Sequence, residues 1–251
     1  MKGPKSAVYL DRYFHSVDTV FRCIRETQRA AIEQAAETVA MALSRSGALL
    51  VMDTGHMLRH EAFTRAGGLV AWTPFSYAMD VDCPIDHRKT DPLSRDTVEM
   101  EARTVALALD QSKIRRGDVL IINSNSGRSS NVVELALQCK TRGVTTIGIS
   151  SSEQMRRCSA VHPSGKKLFD VADFGIDNCT PFGDASVEVK DNEKMCPLSG
   201  LAATYILWAI QADAVERLQE RGVNPTIYRS VHVSGPDFVE EQRRKYLERG
   251  I

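Results

Sequence analysis

The stretch DVLIINSNSGRSSNVVELALQCKTRGVTTIGI, residues 118–149, decides the fold. It opens with an apolar run at 118–123, which is typical of a buried parallel strand. Apolar residues at helical spacing predict a helix over 132–142 that Gly143 ends, and a second apolar run at 144–149 predicts the next strand. A strand, a helix and a strand in this order form a right-handed crossover, so the two strands should be parallel.

The rest of the chain repeats this alternation. Short apolar runs predict further strands at 48–52, 70–75 and 171–176, and helical periodicity predicts one or two helices over 16–46 and single helices over 57–66, 94–113 and 200–221. The stretch 76–92 and the residues between 177 and 199 are predicted as loops. Strands that alternate with helices indicate an α/β protein with a doubly wound parallel sheet. We expect one domain over 1–251, with N-terminal helices in 1–46 and an irregular tail at 222–251 that holds a short helix after Pro236.

Composition excludes several classes of protein. The 251 residues are 43% hydrophobic and 25% charged, with 32 basic and 32 acidic side chains. A net charge of zero gives no electrostatic footprint for nucleic acid or an anionic membrane. The six cysteines form no C-x-x-C pair, and the longest apolar segment, 201–210, has about half the length that spans a bilayer. We therefore expect a soluble cytoplasmic protein with reduced thiols, no membrane contact and no nucleic-acid partner.

The turn between the two best-predicted strands is rich in hydroxyls. It lies at the carboxyl end of a strand and before a helix, where the first amide groups of the helix have no intrahelical partner and favour an anion. The glycine lets the backbone approach a ligand closely. The residues of this candidate phosphate-binding loop are Ser124, Asn125, Ser126, Gly127, Arg128, Ser129 and Ser130. Because no lysine of the nucleotide P-loop follows, the loop suits a phosphate monoester of a small molecule. The alternative is a helix cap with additional turn-forming serines.

The unit from 119 to 150 resembles the sugar isomerase (SIS) domain, which is found in phosphosugar isomerases and regulators. Three further motifs look like those of the bacterial sugar isomerase domain-containing proteins: RAGG at 65–68, SGKKLFDVAD at 164–173 and PFGDAS at 181–186. The resemblance covers nearly the whole chain. It implies a three-layer αβα sandwich of flavodoxin-like type, a phosphorylated sugar as ligand, and homodimers or homotetramers with sites near a subunit interface. It does not supply a reaction.

Isomerisation of a sugar phosphate removes a proton beside a carbonyl, so the chain needs an acid or base near the phosphate. Glu61 is the first candidate, since its position is similar to that of the acid/base glutamate in phosphoheptose isomerases. Thr54, Gly55 and His56 are candidate sugar contacts. His56 and His60 leave a zinc ion short of ligands, so we expect no metal.

Further candidates lie downstream. Glu134 follows the serine-rich turn, and Asp184 and Glu188 come from a glycine-containing loop. The alternatives are a helix-surface or capping role for Glu134 and a solvated, hairpin-like loop for the other two. The basic patch of Lys166 and Lys167, with Ser164 and His162, could draw in an anion.

The long helix at 200–221 lacks the histidine that phosphoheptose isomerases place there. A second proton carrier would then be Glu188, Asp184, His162, His87 or a residue of another subunit.

The sequence is compatible with two functions. The first is an isomerase or a related lyase acting on a phosphorylated sugar or amino sugar, and the second is a non-catalytic phosphosugar sensor. A dinucleotide-binding protein is excluded because Thr54-Gly55-His56 is not G-x-G-x-x-G, and we expect no cofactor.

Overall fold

The structure of the protein is a computed structural model that describes residues 8–55, 58–79 and 97–251. In chain order its helices are α1 (Val8–Thr27), α2 (Arg29–Ser44), α3 (Leu58–Glu61), α4 (Thr97–Gln111), α5 (Ser130–Thr141), α6 (Ser152–Arg157), α7 (Leu168–Val171), α8 (Ser199–Glu220), α9 (Val231–Ser234) and α10 (Pro236–Arg249). The strands are β1 (Leu49–Asp53), β2 (Trp72–Pro74), β3 (Val119–Asn123), β4 (Thr145–Ser150), β5 (Phe174–Asp177), β6 (Ala185–Glu188) and β7 (Lys194–Pro197).

Five strands form one parallel sheet in the order β2-β1-β3-β4-β5. The chain reverses direction across the sheet between β1 and β3, so these two neighbouring strands form the topological switch point. β3 is the central strand, and Val119, Leu120, Ile121 and Ile122 are all buried because helices cover both faces. The strands β6 and β7 form a separate antiparallel hairpin.

Two hydrophobic cores lie on opposite faces of the sheet. On one face Leu49 and Val51 pack with α1, α2 and α8, and on the other Leu50 and Met52 pack with α4, α5 and α7. Fully buried alanines on the facing helices α2 and α8 let the two helices approach closely: Ala35, Ala36, Ala40, Ala202, Ala203 and Ala214. The predicted three-layer αβα sandwich with a central parallel sheet is confirmed. Among the described residues, no helix combines the length and apolar character needed to cross a bilayer.

Several predicted elements differ in extent from the structure. The helix expected over 57–66 ends at Glu61 because the chain turns into the left-handed region at Thr64 (φ 55°) and Gly67 (φ 86°). The strand expected from residue 171 begins at Phe174, since Val171 closes α7. The carboxylate of Asp170 accepts the amide of Lys167 at 2.8 Å and so caps that short helix.

The sequence interpretation also missed regular structure near the carboxyl end. The predicted loop before 199 contains the β6–β7 hairpin, whose turn uses left-handed Asp191 and Asn192. In the tail at 222–251 the helix expected after Pro236 is present as α10, which at 14 residues is longer than predicted. Pro236 occupies its first turn and ion pairs one turn apart, Lys245–Glu241 and Arg244–Glu248, support it. The predicted strand at 70–75 is reduced to β2, and 80–96 of the expected long loop and helix lie outside the described residues.

Candidate functional site

A cleft of about 610 Å³ opens at the carboxyl ends of β1 and β3, at the switch point of the sheet. Its size lies within the range of small-molecule sites. The β1 loop, the serine-rich turn, α6 and the start of α8 all contribute to it. The lining residues are Asp53, Thr54, Gly55, Leu58, Asn123, Ser124, Asn125, Ser126, Ser129, Gln154, Asp184, Pro197, Ser199, Gly200 and Leu201.

The path of the serine-rich turn is set by Gly127. Its φ is +57°, its amide donates to the carbonyl of Ser124 at 3.0 Å, and its own carbonyl accepts the amide of Leu168 at 2.8 Å. A Cβ at this position would come within 2.9 Å of the Met155 sulfur and 3.0 Å of the Ser150 hydroxyl. Glycine is therefore required both by the backbone conformation and by the close packing behind the turn.

The turn presents neutral donors to the cleft. Ser126 and Ser129 line the cleft, and the Ser129 side chain makes no capping hydrogen bond to α5. No hydrogen bond within the described residues uses the amide groups of Ser129, Ser130 or Asn131. These amides and the positive end of the α5 dipole form an anion-binding arrangement.

Other residues of the turn have structural contacts. The side-chain oxygen of Asn125 accepts hydrogen bonds from Asn178 at 2.9 Å and from Thr180 at 3.1 Å, which ties the turn to the end of β5. Ser130 is 3% exposed, and its hydroxyl has no partner in the part of the chain that the structure describes. Arg128 and Ser130 do not line the cleft.

Asp53 is a lining residue that the sequence interpretation missed. One carboxylate oxygen accepts the amide of Gly55 at 2.9 Å and the side chain of Asn123 at 2.7 Å, and the other accepts the amide of Leu58 at 3.1 Å. Thr54 donates its hydroxyl to the Asn123 carbonyl at 3.1 Å. Asp53 thus joins the ends of β1 and β3; its place at the end of a strand, before Thr-Gly, was the available signal. His56 lies outside the described residues.

Asp184 lies in the cleft at the amino end of α8. Its backbone is left-handed, with φ +66°. Its carboxylate accepts hydrogen bonds from the amides of Leu198 at 3.0 Å and Ser199 at 2.7 Å, and from the Ser199 hydroxyl at 2.7 Å. It therefore caps α8. Gln154, which was also missed, accepts the amide of Gly183 at 2.8 Å and positions the loop that carries Asp184.

The three other candidate acids do not line the cleft. Glu61 ends α3 and pairs with Arg65 at 3.3 Å. Glu188 ends β6, is 70% exposed and lies 3.6 Å from Lys194. Glu134 accepts Gln138 at 2.7 Å and contacts His162 at 3.0 Å on the flank of α5.

The expected basic patch is engaged in local contacts. His162 hydrogen-bonds to Glu134 and, through its other ring nitrogen, to the Ser164 hydroxyl at 2.7 Å. The amine of Lys167 donates to the carbonyl of Met155. In the described residues no lysine or arginine lines the cleft, so neutral groups and helix amides supply the donors there.

The pKa of two cysteine thiols and the grouping of possible metal ligands bear on the chemistry of the site. Burial raises the pKa of Cys139, on α5, to about 12, and burial also raises the pKa of Cys179, so both remain protonated at neutral pH. Within 8–55, 58–79 and 97–251 no three histidine, cysteine or acidic side chains are grouped to hold a metal ion.

Comparisons with known proteins agree with this architecture. The family model described as SIS domain matches residues 12–151. A UPF0309 protein of Caldanaerobacter subterraneus is 31% identical over 247 residues, which are 96% of this chain and 96% of that protein. A UPF0309 protein of Shouchella clausii is 30% identical over 238 residues, covering 93% and 94%. The chain therefore belongs to the SIS domain family and, within it, to the UPF0309 proteins.

A solved structure has the same fold. It is that of a protein assigned as a phosphosugar isomerase involved in capsule formation from Bacteroides fragilis NCTC 9343. The TM-score is 0.53 at 16% sequence identity, and the match covers 84% of this chain and 90% of that one. At this identity the similarity supports the fold alone.

Proposed function

We propose that this protein binds a phosphorylated sugar in the cleft at the switch point, with the phosphate ester on the serine-rich turn. The observation that carries the proposal is the meeting of the Ser126 and Ser129 hydroxyls with the unused amides at the start of α5. A phosphate oxygen accepts such bonds strongly because it is ionised. Membership of the SIS domain family, and the phosphosugar named for the Bacteroides protein, support the same ligand class.

The remainder of the cleft suits the hydroxyl groups of a sugar. Asp53 and Asp184 line it, but the Asp53 carboxylate accepts hydrogen bonds from its own loop and the Asp184 carboxylate accepts them from the start of α8, which offsets both negative charges. Carboxylate oxygens have further lone pairs that can accept from a sugar hydroxyl. The Thr54 loop and the start of α8 both line the cleft.

We further propose that the reaction is aldose–ketose isomerisation or a related elimination on a sugar or amino sugar, with Glu61 as the base. Glu61 lies one turn after Leu58, which lines the cleft, and its pairing with Arg65 is partly exposed. The other proton carrier would be Glu188, Asp184, His162, His87 or a residue of a second subunit, and His87 lies outside the described residues. A homodimer or homotetramer is proposed because the exposed start of α1 is rich in large apolar side chains: Val8, Tyr9, Leu10 and Phe14.

A phosphosugar sensor is the second candidate. It is favoured by the contacts of Asp53 and Asp184, the acids that line the described cleft, since each oxygen of both carboxylates already accepts at least one hydrogen bond from the protein. A general base needs a free oxygen within reach of the substrate proton.

Binding is tested by thermal melting with a panel of sugar phosphates, because a ligand that binds the folded state raises the melting temperature. Ser126→Ala should reduce the ligand-induced shift, whereas Ser44→Ala, an exposed serine at the end of α2, should not. A panel that stabilises neither the wild type nor the control would contradict the proposal.

Catalysis is tested by incubating the stabilising ligand in deuterated water. We expect protein-dependent exchange of its C1 or C2 proton, which Glu61→Gln abolishes without weakening binding. Glu153→Gln is the matched control, because Glu153 also pairs with an arginine one turn away. Binding without exchange in the wild type would support the sensor instead.

A further inference from the structure

A second cleft, of about 430 Å³, opens at the opposite end of the sheet from the proposed sugar site. It lies between the carboxyl end of α2, the turn before β3 and the first residues of β3 and β4. The lining residues are Thr38, Met41, Ala42, Arg45, Ser46, Gly47, Arg115, Arg116, Gly117, Val119 and Thr145. β3 begins in this cleft at Val119 and ends in the other at Asn123, so the two sites are separated by the length of the strand.

The second cleft collects three positive charges. Arg45, Arg115 and Arg116 line it, and no aspartate or glutamate among the described residues does so. Arg115 donates one guanidinium nitrogen to the Ser46 carbonyl at 3.0 Å. Within the described part of the chain, Arg45 and Arg116 form no ion pair and no side-chain hydrogen bond.

The buried carboxylate of Asp118, next to this cleft in sequence, is engaged by backbone amides. Asp118 is 1% exposed, and its two oxygens accept the amides of Ala48 and Arg115, each at 2.8 Å. Asp118 therefore holds the backbone of the two turns together. The arginine side chains keep donors for another anion.

The other lining groups also suit a ligand. The Arg116 side chain lies against Gly143, where an added Cβ would come within 3.0 Å of it, so its stem is positioned by packing. The hydroxyls of Ser46 and Thr145 make no hydrogen bond among the described residues, and Met41 and Val119 supply apolar surface.

We propose that this arginine cleft binds a small molecule with at least two negative charges of the phosphate or diphosphate type. Guanidinium groups match phosphate oxygens in pairs, and the cleft has the volume of a small-molecule site. The proposal goes beyond the sugar site, because it concerns different residues at the opposite end of the sheet, where β3 and β4 begin.

The test is calorimetric titration of the full chain with inorganic pyrophosphate at low and moderate salt. Arg45→Ala/Arg116→Ala should weaken binding by at least roughly 10- to 100-fold, which is the loss expected from a single charge-assisted hydrogen bond. Arg22→Ala/Arg25→Ala, two exposed arginines on α1, makes the same charge change elsewhere and should leave affinity within about two-fold, as expected of remote screened charges. Arg45→Lys/Arg116→Lys should restore part of the affinity, which separates loss of charge from loss of fold.

Several results would overturn the proposal. They are undiminished pyrophosphate binding in the alanine double variant, no binding by the wild type, and binding that Ser126→Ala/Ser129→Ala removes, which would assign the anion to the serine-rich turn. Wild-type protein that binds a nucleic-acid duplex but not pyrophosphate would also contradict it. Sugar phosphates should stabilise Arg45→Ala/Arg116→Ala as much as the wild type. Thermal melting with sugar phosphates therefore tests the sugar site independently of the pyrophosphate titration.

Discussion

The loops that follow β1 and β3 lie side by side at the switch point, but their backbone amides have different hydrogen-bond partners. After β1, the carboxylate of Asp53 accepts the amides of Gly55 and Leu58. After β3, serines replace the acid, and the amides at the start of α5 remain unused within the described residues. The amides of the first loop are already bonded to a carboxylate, whereas those of the second are available for an external anion. The phosphate is therefore expected at the second loop.

Helix length strengthens this contrast. α5 has 12 residues and α3 has four, so of these two loops only the serine-rich turn precedes a helix long enough to have a substantial dipole. A carboxylate such as Asp53 also offers no hydrogen-bond donor to a phosphate, and its negative charge would repel a phosphate placed against the β1 loop. The β1 loop is therefore better suited to the sugar hydroxyls than to the ester.

The largest expected effect comes from Gly127→Ala. Its Cβ would collide with Met155 and Ser150, and alanine disfavours φ +57°, so unfolding stability should fall by roughly 2–5 kcal/mol and ligand-induced stabilisation should disappear. Gly222→Ala is the control, because φ there is +73° but no atom lies within 4 Å of the added Cβ. Urea unfolding of both variants measures the difference. Equal losses would show that packing behind the turn is unimportant.

Asp53→Ala should have the next largest effect. Removal of an acceptor for three hydrogen bonds should cost about 1–3 kcal/mol in urea unfolding. It should also change sugar-phosphate affinity, since the ends of β1 and β3 lose their link. Asp177→Ala removes an acceptor for two amides, of Ser152 and Cys179, away from the cleft, and should lower stability without changing affinity. An unchanged affinity in Asp53→Ala would contradict a positioning role.

The sequence predicts the central unit of the fold well because its signals are local. β3, the turn and α5 lie in one continuous stretch, and the alternation of apolar runs with helices predicts a parallel sheet. Boundaries fail where a few backbone angles decide, as at Thr64 after α3. The β6–β7 hairpin was missed because both strands are short and only Val187 is buried in them.

Parts of the site depend on contacts that no local pattern contains. Asp184 meets Ser199 only because the hairpin returns the chain to the start of α8, and Gln154 meets Gly183 across 29 residues. Asp53 lay beside residues that were selected, but its role follows from Asn123 on the next strand. The serine-rich turn was found because strand, hydroxyls, glycine and helix are consecutive.

Ser129→Ala should weaken sugar-phosphate binding roughly 10- to 100-fold, the effect of one hydrogen bond to a charged group, with little change in stability. Stability is spared because the Ser129 side chain makes no hydrogen bond to α5. Ser151→Ala gives the opposite result: Ser151 caps α6 by accepting Gln154 and donates to the Thr180 carbonyl at 2.6 Å, so about 1–2 kcal/mol should be lost while the ligand still binds. Melting curves with and without ligand distinguish the two.

Glu134→Gln should have the smallest effect and completes the comparison on α5. Its carboxylate faces His162 and Gln138 on the flank of the helix rather than the cleft, and a glutamine can keep an acceptor for either partner. We therefore expect stability to change by less than about 1 kcal/mol and sugar-phosphate affinity to stay within roughly two-fold, since the hydrogen bonds of Glu134 are kept by a neutral acceptor. A larger loss of affinity, measured in the same titration as Ser129→Ala, would mean that α5 contributes a charge to the ligand as well as its amides. The neutral-donor account of the serine-rich turn would then be wrong.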